Sequence, residues 1–120
     1  MTDLSLSGVR MITTSSGAGG VVSAETELVF EQDGPIVSAR YRGGLVVNGY
    51  LIGRLQGRAI HFRYVQADMD GRIDAGVSEG IFDVLADGRL RLIEEFQWIT
   101  RPEAGTNVFE ERVRRPVSAP

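Results

Sequence analysis

The sequence predicts an all-β fold, a single up-and-down antiparallel β-barrel of about eight strands. Three observations carry that expectation. Apolar residues recur with period two, as at Ile60, Phe62 and Tyr64 or at Leu90, Leu92, Phe96 and Trp98, and no segment shows the spacing of an amphipathic helix. Dipeptides ending in glycine separate these runs: Asp33-Gly34, Gly43-Gly44, Gln56-Gly57, Asp70-Gly71 and Asp87-Gly88. Such pairs supply the positive backbone angles of tight hairpin turns. Glycine makes up 15 of 120 residues, nearly twice its usual share of roughly 7%, as a turn-rich chain requires.

Taken in order, the first strand covers about residues 6–14 and leads into a flexible connection, 15–23, that contains Gly17-Ala18-Gly19-Gly20. A second strand at 25–32 turns Leu28 and Phe30 inward, and a third at 36–42 does the same with Val37, Ala39 and Tyr41. In the fourth, 45–56, alternation assigns Leu45, Val47, Leu51 and Leu55 to the interior; in the fifth, 59–67, it assigns Ile60, Phe62 and Tyr64. The sixth and eighth strands, 72–85 and 106–114, alternate poorly, and both facings stay open. The seventh, 89–100, turns Leu90, Leu92, Phe96 and Trp98 inward, and Pro102-Glu103-Ala104-Gly105 makes the last connection. Strands of this length would expose long edges unless the sheet closed on itself. The chain therefore reads as one domain, 1–120, with its core at about 6–114 and a disordered tail at 115–120 that runs from Arg115 through Pro116 to Pro120.

Composition removes whole classes of chemistry. All 13 basic residues are arginine, so Schiff-base chemistry and a phosphate-loop lysine are excluded. Without cysteine there is no thiol nucleophile, disulfide or thiolate metal site, and the single histidine, His61, cannot build a histidine cage. No cofactor and no metal are expected. A net charge of -3 argues against nucleic-acid binding. The basic cluster Arg112-Val113-Arg114-Arg115 reads as a solvated terminal segment. The start, Met1-Thr2-Asp3-Leu4-Ser5, has neither signal-peptide nor membrane-span character, so a cytoplasmic location is expected.

An eight-stranded barrel is just wide enough to be filled by side chains or to hold one small ligand. Glu94 is the first candidate for a site. It shares the alternation of Leu92, Phe96 and Trp98, which puts a carboxyl in an apolar lumen, where desolvation raises its pKa unless a donor pairs with it. There it can act as an acid or base, or hydrogen-bond a ligand; the structural alternatives are a pair with a neighbouring arginine or tyrosine, or a register break that turns it outward. Tyr41 and Tyr64 can present hydroxyls to the same space, whereas Tyr50 is out of phase. Phe30, Phe62, Phe96 and Trp98 fit a pocket wall and ordinary core packing equally well. His61 and Arg63 face outward, as do Arg40 and Arg42, for which cross-strand pairing with Glu27 or Glu31 is expected. Of the adjacent pair Glu110 and Glu111, one can enter the lumen near Glu94. The glycine-rich 17–20 segment reads as a flap over one barrel mouth.

Several motifs together resemble a family of small bacterial proteins with avidin-like or calycin-like barrels: Tyr41-Arg42-Gly43-Gly44, Gly49-Tyr50-Leu51-Ile52-Gly53, Phe62-Arg63-Tyr64, the run from Gly88 to Trp98, and Gly105-Thr106-Asn107-Val108-Phe109-Glu110-Glu111. The resemblance spans about residues 20–112 and implies a barrel. Members are commonly labelled N-acetylglutamate synthase, and here the residues argue against that activity. Arg54-Leu55-Gln56-Gly57-Arg58-Ala59 fits the short acetyltransferase pattern for the coenzyme A pyrophosphate. That pattern needs a helix N-terminus immediately afterwards, yet residues 59–67 alternate as a strand. The lipocalin Gly-X-Trp is absent, since Gly8 is followed by Val9 and Arg10, and so is the tryptophan-rich biotin box of avidin.

Three readings follow. The first is a binding module that holds a small apolar or amphipathic molecule in the lumen. The second is a cofactor-independent cyclase or isomerase that uses Glu94 and tyrosine hydroxyls. The third is a structural barrel with a filled core, associating through outward Ile52, Ile93 and Ile99 into a homo-oligomer.

Overall fold

Two-residue loops at Gly34-Pro35 and Gly57-Arg58 join strands in register from Asp33↔Ile36 and Gln56↔Ala59, with Gly34 and Gly57 at φ values of +58 and +61. These are the angles that glycine adopts without strain. In a computed structural model that describes residues 4–112, the strands are β1 (Arg10–Ser15), β2 (Glu27–Asp33), β3 (Ile36–Gly43), β4 (Val46–Gln56), β5 (Ala59–Asp68), β6 (Ile73–Val84), β7 (Leu90–Trp98) and β8 (Ala104–Glu111). Each pairs antiparallel with its neighbours in sequence, and β1 pairs with β8 to close the barrel. Among the described residues there is no helix. The expected tail, 115–120, and most of the basic cluster that begins at Arg112 lie outside the described residues.

Three sequence expectations are corrected by the geometry. The first strand begins at Arg10, not near residue 6. The chain turns at Ser7-Gly8, and the fully buried Leu6 seals that end of the barrel, its N–H donating to Gln32 Oε1 at 2.8 Å. In the fourth strand, Leu45 and Val47 point outward, 58% and 55% exposed, while Val46 is buried. Val46 opposes Asp68 and Asn48 opposes Ala67, so Val47 is an extra residue, and this bulge reverses the inside–outside parity upstream of Gly49. The last strand ends at Glu111, not at 114. The two open facings resolve: β6 turns Asp74, Gly76, Ser78, Gly80 and Phe82 inward, and β8 turns Asn107 and Phe109 inward.

The interior is layered. Phe30 and Phe82 meet edge to face at 6.3 Å, and with the fully buried Leu6 and Leu92 they form an apolar floor at the end where Leu6 enters. The opposite end carries the β1–β2, β3–β4, β5–β6 and β7–β8 connections, as the up-and-down order dictates. All the buried polar side chains of β5, β6, β7 and β8 (Gln66, Asp74, Ser78, Glu94 and Asn107) belong to this upper half or its rim.

Candidate functional site

β7 reads Leu90, Leu92, Glu94, Phe96, Trp98 along its inner face, and every one of these is buried. The alternation that built the strand thus leaves Glu94 nowhere to go but the lumen. Two partners on the flanking strands hold it. Ser78 Oγ of β6 lies 2.6 Å from Glu94 Oε2, and Asn107 Nδ2 of β8, directly opposite Glu94 in register, donates to Oε1 at 3.1 Å.

Burial pushes the Glu94 carboxyl above its ordinary pKa; the Ser78 and Asn107 hydrogen bonds oppose the rise and do not cancel it. Among the described residues no arginine or histidine lines the surrounding cavity. Glu94 therefore holds its proton more tightly than an exposed glutamate does. The Ser78 hydroxyl donates to Oε2 as Asn107 donates to Oε1, so each carboxyl oxygen accepts one hydrogen bond.

Tyr41 and Tyr64 flank this group. Tyr41 Oη donates to Gln66 Oε1 at 3.0 Å. Tyr64 Oη is buried without a hydrogen bond of good geometry, and the Ser78 hydroxyl is the neighbouring polar group that acts on it. Burial first, and the Glu94 carboxyl second, push both phenols above their usual range, with a Ser78 hydrogen bond partly opposing the rise at Tyr64, so both remain protonated donors. Tyr64 fits because residue 76 is glycine: a Cβ there would stand 2.1 Å from its hydroxyl oxygen. Its ring meets Trp98 edge-on at 5.2 Å, and Phe96 meets Trp98 at 6.1 Å.

These groups line a cavity of about 30 Å³. Such a space is sized for about two water molecules. Gly20, Val21 and Val22 of the β1–β2 connection form its roof. This lid is fastened to the wall residues themselves: the Gly17 N–H donates to Asn107 Oδ1 at 3.1 Å, and Trp98 Nε1 donates to the Gly19 carbonyl at 2.8 Å. The outer side of Trp98 carries Arg101, whose guanidinium lies 5.4 Å from the ring centroid and binds Asp74 at 2.7 Å. Burial alone would raise the Asp74 pKa, but hydrogen bonds from Arg101, Thr100 and Arg72 outweigh it and hold the carboxyl below its ordinary value.

Of the residues singled out in the sequence, Tyr41, Phe62, Tyr64, Glu94, Phe96 and Trp98 converge on the cavity. Phe30 does not; it packs against Phe82 in the floor. Neither Glu110 nor Glu111 reaches Glu94. Glu111 instead accepts the Leu90 N–H at 3.1 Å, and Glu110 lies 3.6 Å from Arg89. Glu27 stands opposite Arg42 in register, yet its carboxylate pairs with Arg10 and Arg112. Gln66, Ser78 and Asn107 were not singled out: Gln66 continues the alternation of Ile60, Phe62 and Tyr64 and is found by extending it two residues, whereas Ser78 and Asn107 lie in stretches where polar residues and glycine hide the inner face. A register count from the Asp87-Gly88 turn is the signal that finds Ser78, since it sets Gly80 opposite Glu94 and Ser78 opposite Phe96. The acetyltransferase-like segment is the β4–β5 hairpin, and the strand Ala59–Asp68 follows it where a helix would be required.

Fold and site together define an eight-stranded up-and-down barrel with a polar cluster buried beneath a loop-covered mouth. The chain belongs to the avidin-like protein family, whose family model matches residues 4–112. Neither the curated proteins nor the solved structures gave a match.

Proposed function

We propose that the barrel binds a small, uncharged molecule bearing a carbonyl or similar acceptor at the Tyr64, Ser78 and Glu94 cluster. The observation that carries this reading is the Tyr64 hydroxyl, a buried donor that lacks a hydrogen bond of good geometry and faces a cavity. Leaving such a group unsatisfied costs about 1–3 kcal/mol. A ligand acceptor recovers that cost, and the Ser78 hydroxyl, which donates to Glu94 in the unliganded protein, lies beside it as a second donor for the ligand to recruit. Phe62, Phe96 and Trp98 offer aromatic surface to the apolar body of the ligand. Among the described residues no cationic side chain lines the cavity to match an anionic ligand, and burial disfavours the ionised Glu94 that a cationic one would need.

With the lid seated, about 30 Å³ does not admit an organic molecule. The ligand takes the place of Val21 and Val22, and the 17–22 segment lifts by releasing its bonds to Asn107 and Trp98. Native mass spectrometry of freshly purified protein, followed by denaturing extraction and by thermal-shift titration with small neutral carbonyl compounds, tests this. Expected is a bound small molecule or a saturable shift that weakens about tenfold in Tyr64→Phe. An apo mass together with no shift from any compound overturns the reading and returns the barrel to a filled, structural role.

A catalytic reading rests on the raised pKa of Glu94, which suits it to exchange a proton with a substrate oxygen in a rearrangement that needs no cofactor. A Glu94→Gln variant that keeps binding and loses turnover separates it from passive binding.

A further inference from the structure

Tyr41, Gly49 and Gln66 stand on one ladder row: Tyr41 of β3 opposes Gly49 of β4, and Gly49 opposes Gln66 of β5. All three are buried on the inner face. With no side chain at position 49, the middle strand of the row leaves a shelf, and the tyrosine ring lies on it. A Cβ built on Gly49 would stand no more than 2.7 Å from Cζ, Cε2 and Cδ2 of Tyr41. Such closeness to three consecutive ring carbons puts that position over the ring face, not beside the ring edge. One face of Tyr41 therefore rests on the β4 backbone, and the other is turned to the lumen. The hydroxyl reaches past β4 and donates to Gln66 Oε1 at 3.0 Å, which fixes the far end of the ring.

The other cavity aromatics of β5 and β7 are engaged with one another. Tyr64 leans across Gly76, its opposite on β6, but its ring meets Phe62 and Trp98, and Phe96 meets Trp98 in turn. Among the described residues no other ring packs against Tyr41. It lines the cavity with Leu28 and Leu51, where Val21 and Val22 make the roof. A ligand that takes the place of those valines thus meets a rigid π face between two leucines. Leucine accepts a flat and a puckered ring alike, whereas a π face adds offset stacking for a flat one. From the Tyr41–Gly49 shelf we infer that the ligand of this cavity is a carbonyl compound bearing a planar aromatic ring, which stacks on Tyr41 while the carbonyl oxygen turns to the Tyr64 hydroxyl. This ligand class rests on the carbonyl-binding role proposed above and adds a shape to it: Tyr41 selects flatness, and Gly49 and Gln66 hold it in place to do so.

Calorimetric titration of the wild-type chain with benzylacetone and with its ring-saturated analogue, which carries the same ketone, tests the shelf. The aromatic ketone is expected to bind about five- to tenfold more tightly, within the range that a stacked ring pair contributes. Intermolecular NOEs from its ring protons to the Tyr41 ring locate it in the wild-type chain without need of a variant. Tyr41→Leu is expected to bind both ketones alike, and Tyr41→Phe, which loses the Gln66 bond and keeps the face, to retain the preference. Circular dichroism that matches wild type shows that each variant is folded. Equal affinities in the wild-type chain, or NOEs that put the aromatic ring elsewhere in the lumen, overturn the flat-ring assignment and leave the carbonyl-binding role standing. A preference that survives in Tyr41→Leu overturns the part given to Tyr41, and binding of neither ketone overturns the carbonyl-binding role and the ligand class together.

Discussion

Asn107 faces Glu94 directly across the β7–β8 ladder, and its amide joins the buried carboxyl to the lid: Nδ2 donates to Glu94 Oε1 while Oδ1 accepts from the Gly17 N–H. One side chain therefore reports the state of the lumen to the loop above it. In Asn107→Ala both contacts disappear. Hydrogen exchange at Gly17 is expected to rise at least tenfold, and stability to fall by about 1–3 kcal/mol because Glu94 loses a donor. Unchanged protection at Gly17 would show that the lid is held by other means.

Glu94 also sets a pH dependence. Its pKa in the folded chain is raised above the ordinary value of 4.5, so the folded state holds a proton that the unfolded chain has released. The stabilising contribution is complete below about 4.5 and is lost as pH rises toward the folded pKa, at up to about 1.4 kcal/mol per pH unit. Glu94→Gln removes this decline. Urea unfolding from pH 5 to 8 should show the variant gaining on wild type as pH rises. A difference independent of pH would show that the carboxyl is ionised throughout.

Tyr64 and Gly76 make opposite predictions. Tyr64→Phe deletes a buried hydroxyl that lacks a hydrogen bond of good geometry and is expected to stabilise the unliganded protein by about 1 kcal/mol while weakening binding. Gly76→Ala puts a methyl group 2.1 Å from that hydroxyl oxygen and 2.7 Å from the Gln97 carbonyl, so it overpacks the wall and costs about 1–3 kcal/mol. Thermal denaturation of the two variants separates these outcomes by sign.

Asp74 works in the other pH direction. Its pKa is held below 3.8 by Arg101, Thr100 and Arg72 against the effect of burial. Its contribution is present above the unfolded value and is lost as pH falls through the folded one. Asp74→Asn is expected to cost about 2 kcal/mol at pH 7 and to flatten the acid limb of the stability profile below pH 4. An acid limb as steep as that of wild type would assign it to other carboxylates.

Much of this molecule was legible in its sequence, for reasons that can be named. The glycine turns fixed where strands end, and the alternation through Phe62, Tyr64, Glu94, Phe96 and Trp98 put six of the cavity residues on the inner face once Tyr41 is included. Phe30 obeys the same alternation but sits at floor level, and alternation gives facing without height along the barrel. Val47 was misassigned because a bulge inserts one residue without changing composition. β6 stayed unreadable because its inner face is Asp74, Gly76, Ser78 and Gly80 before Phe82. Those polar and small residues leave space and hydrogen bonds where a core strand would supply bulk, so the property that hid the strand is the one that makes the cavity.

The β1–β8 pairing sets the order in which the molecule assembles. Every other ladder joins strands adjacent in sequence, so seven hairpin contacts form locally with short loops to close. The remaining seam brings Met11 beside Glu111 and Thr13 beside Phe109, across nearly the whole described chain. Its closure entropy is the largest, and it completes last, when the other staves already present both edges. Before that moment the open sheet exposes two unpaired edges and the apolar face of the lumen. The rate of zipping this one seam therefore governs how long the nascent protein is vulnerable to joining a neighbour edge to edge.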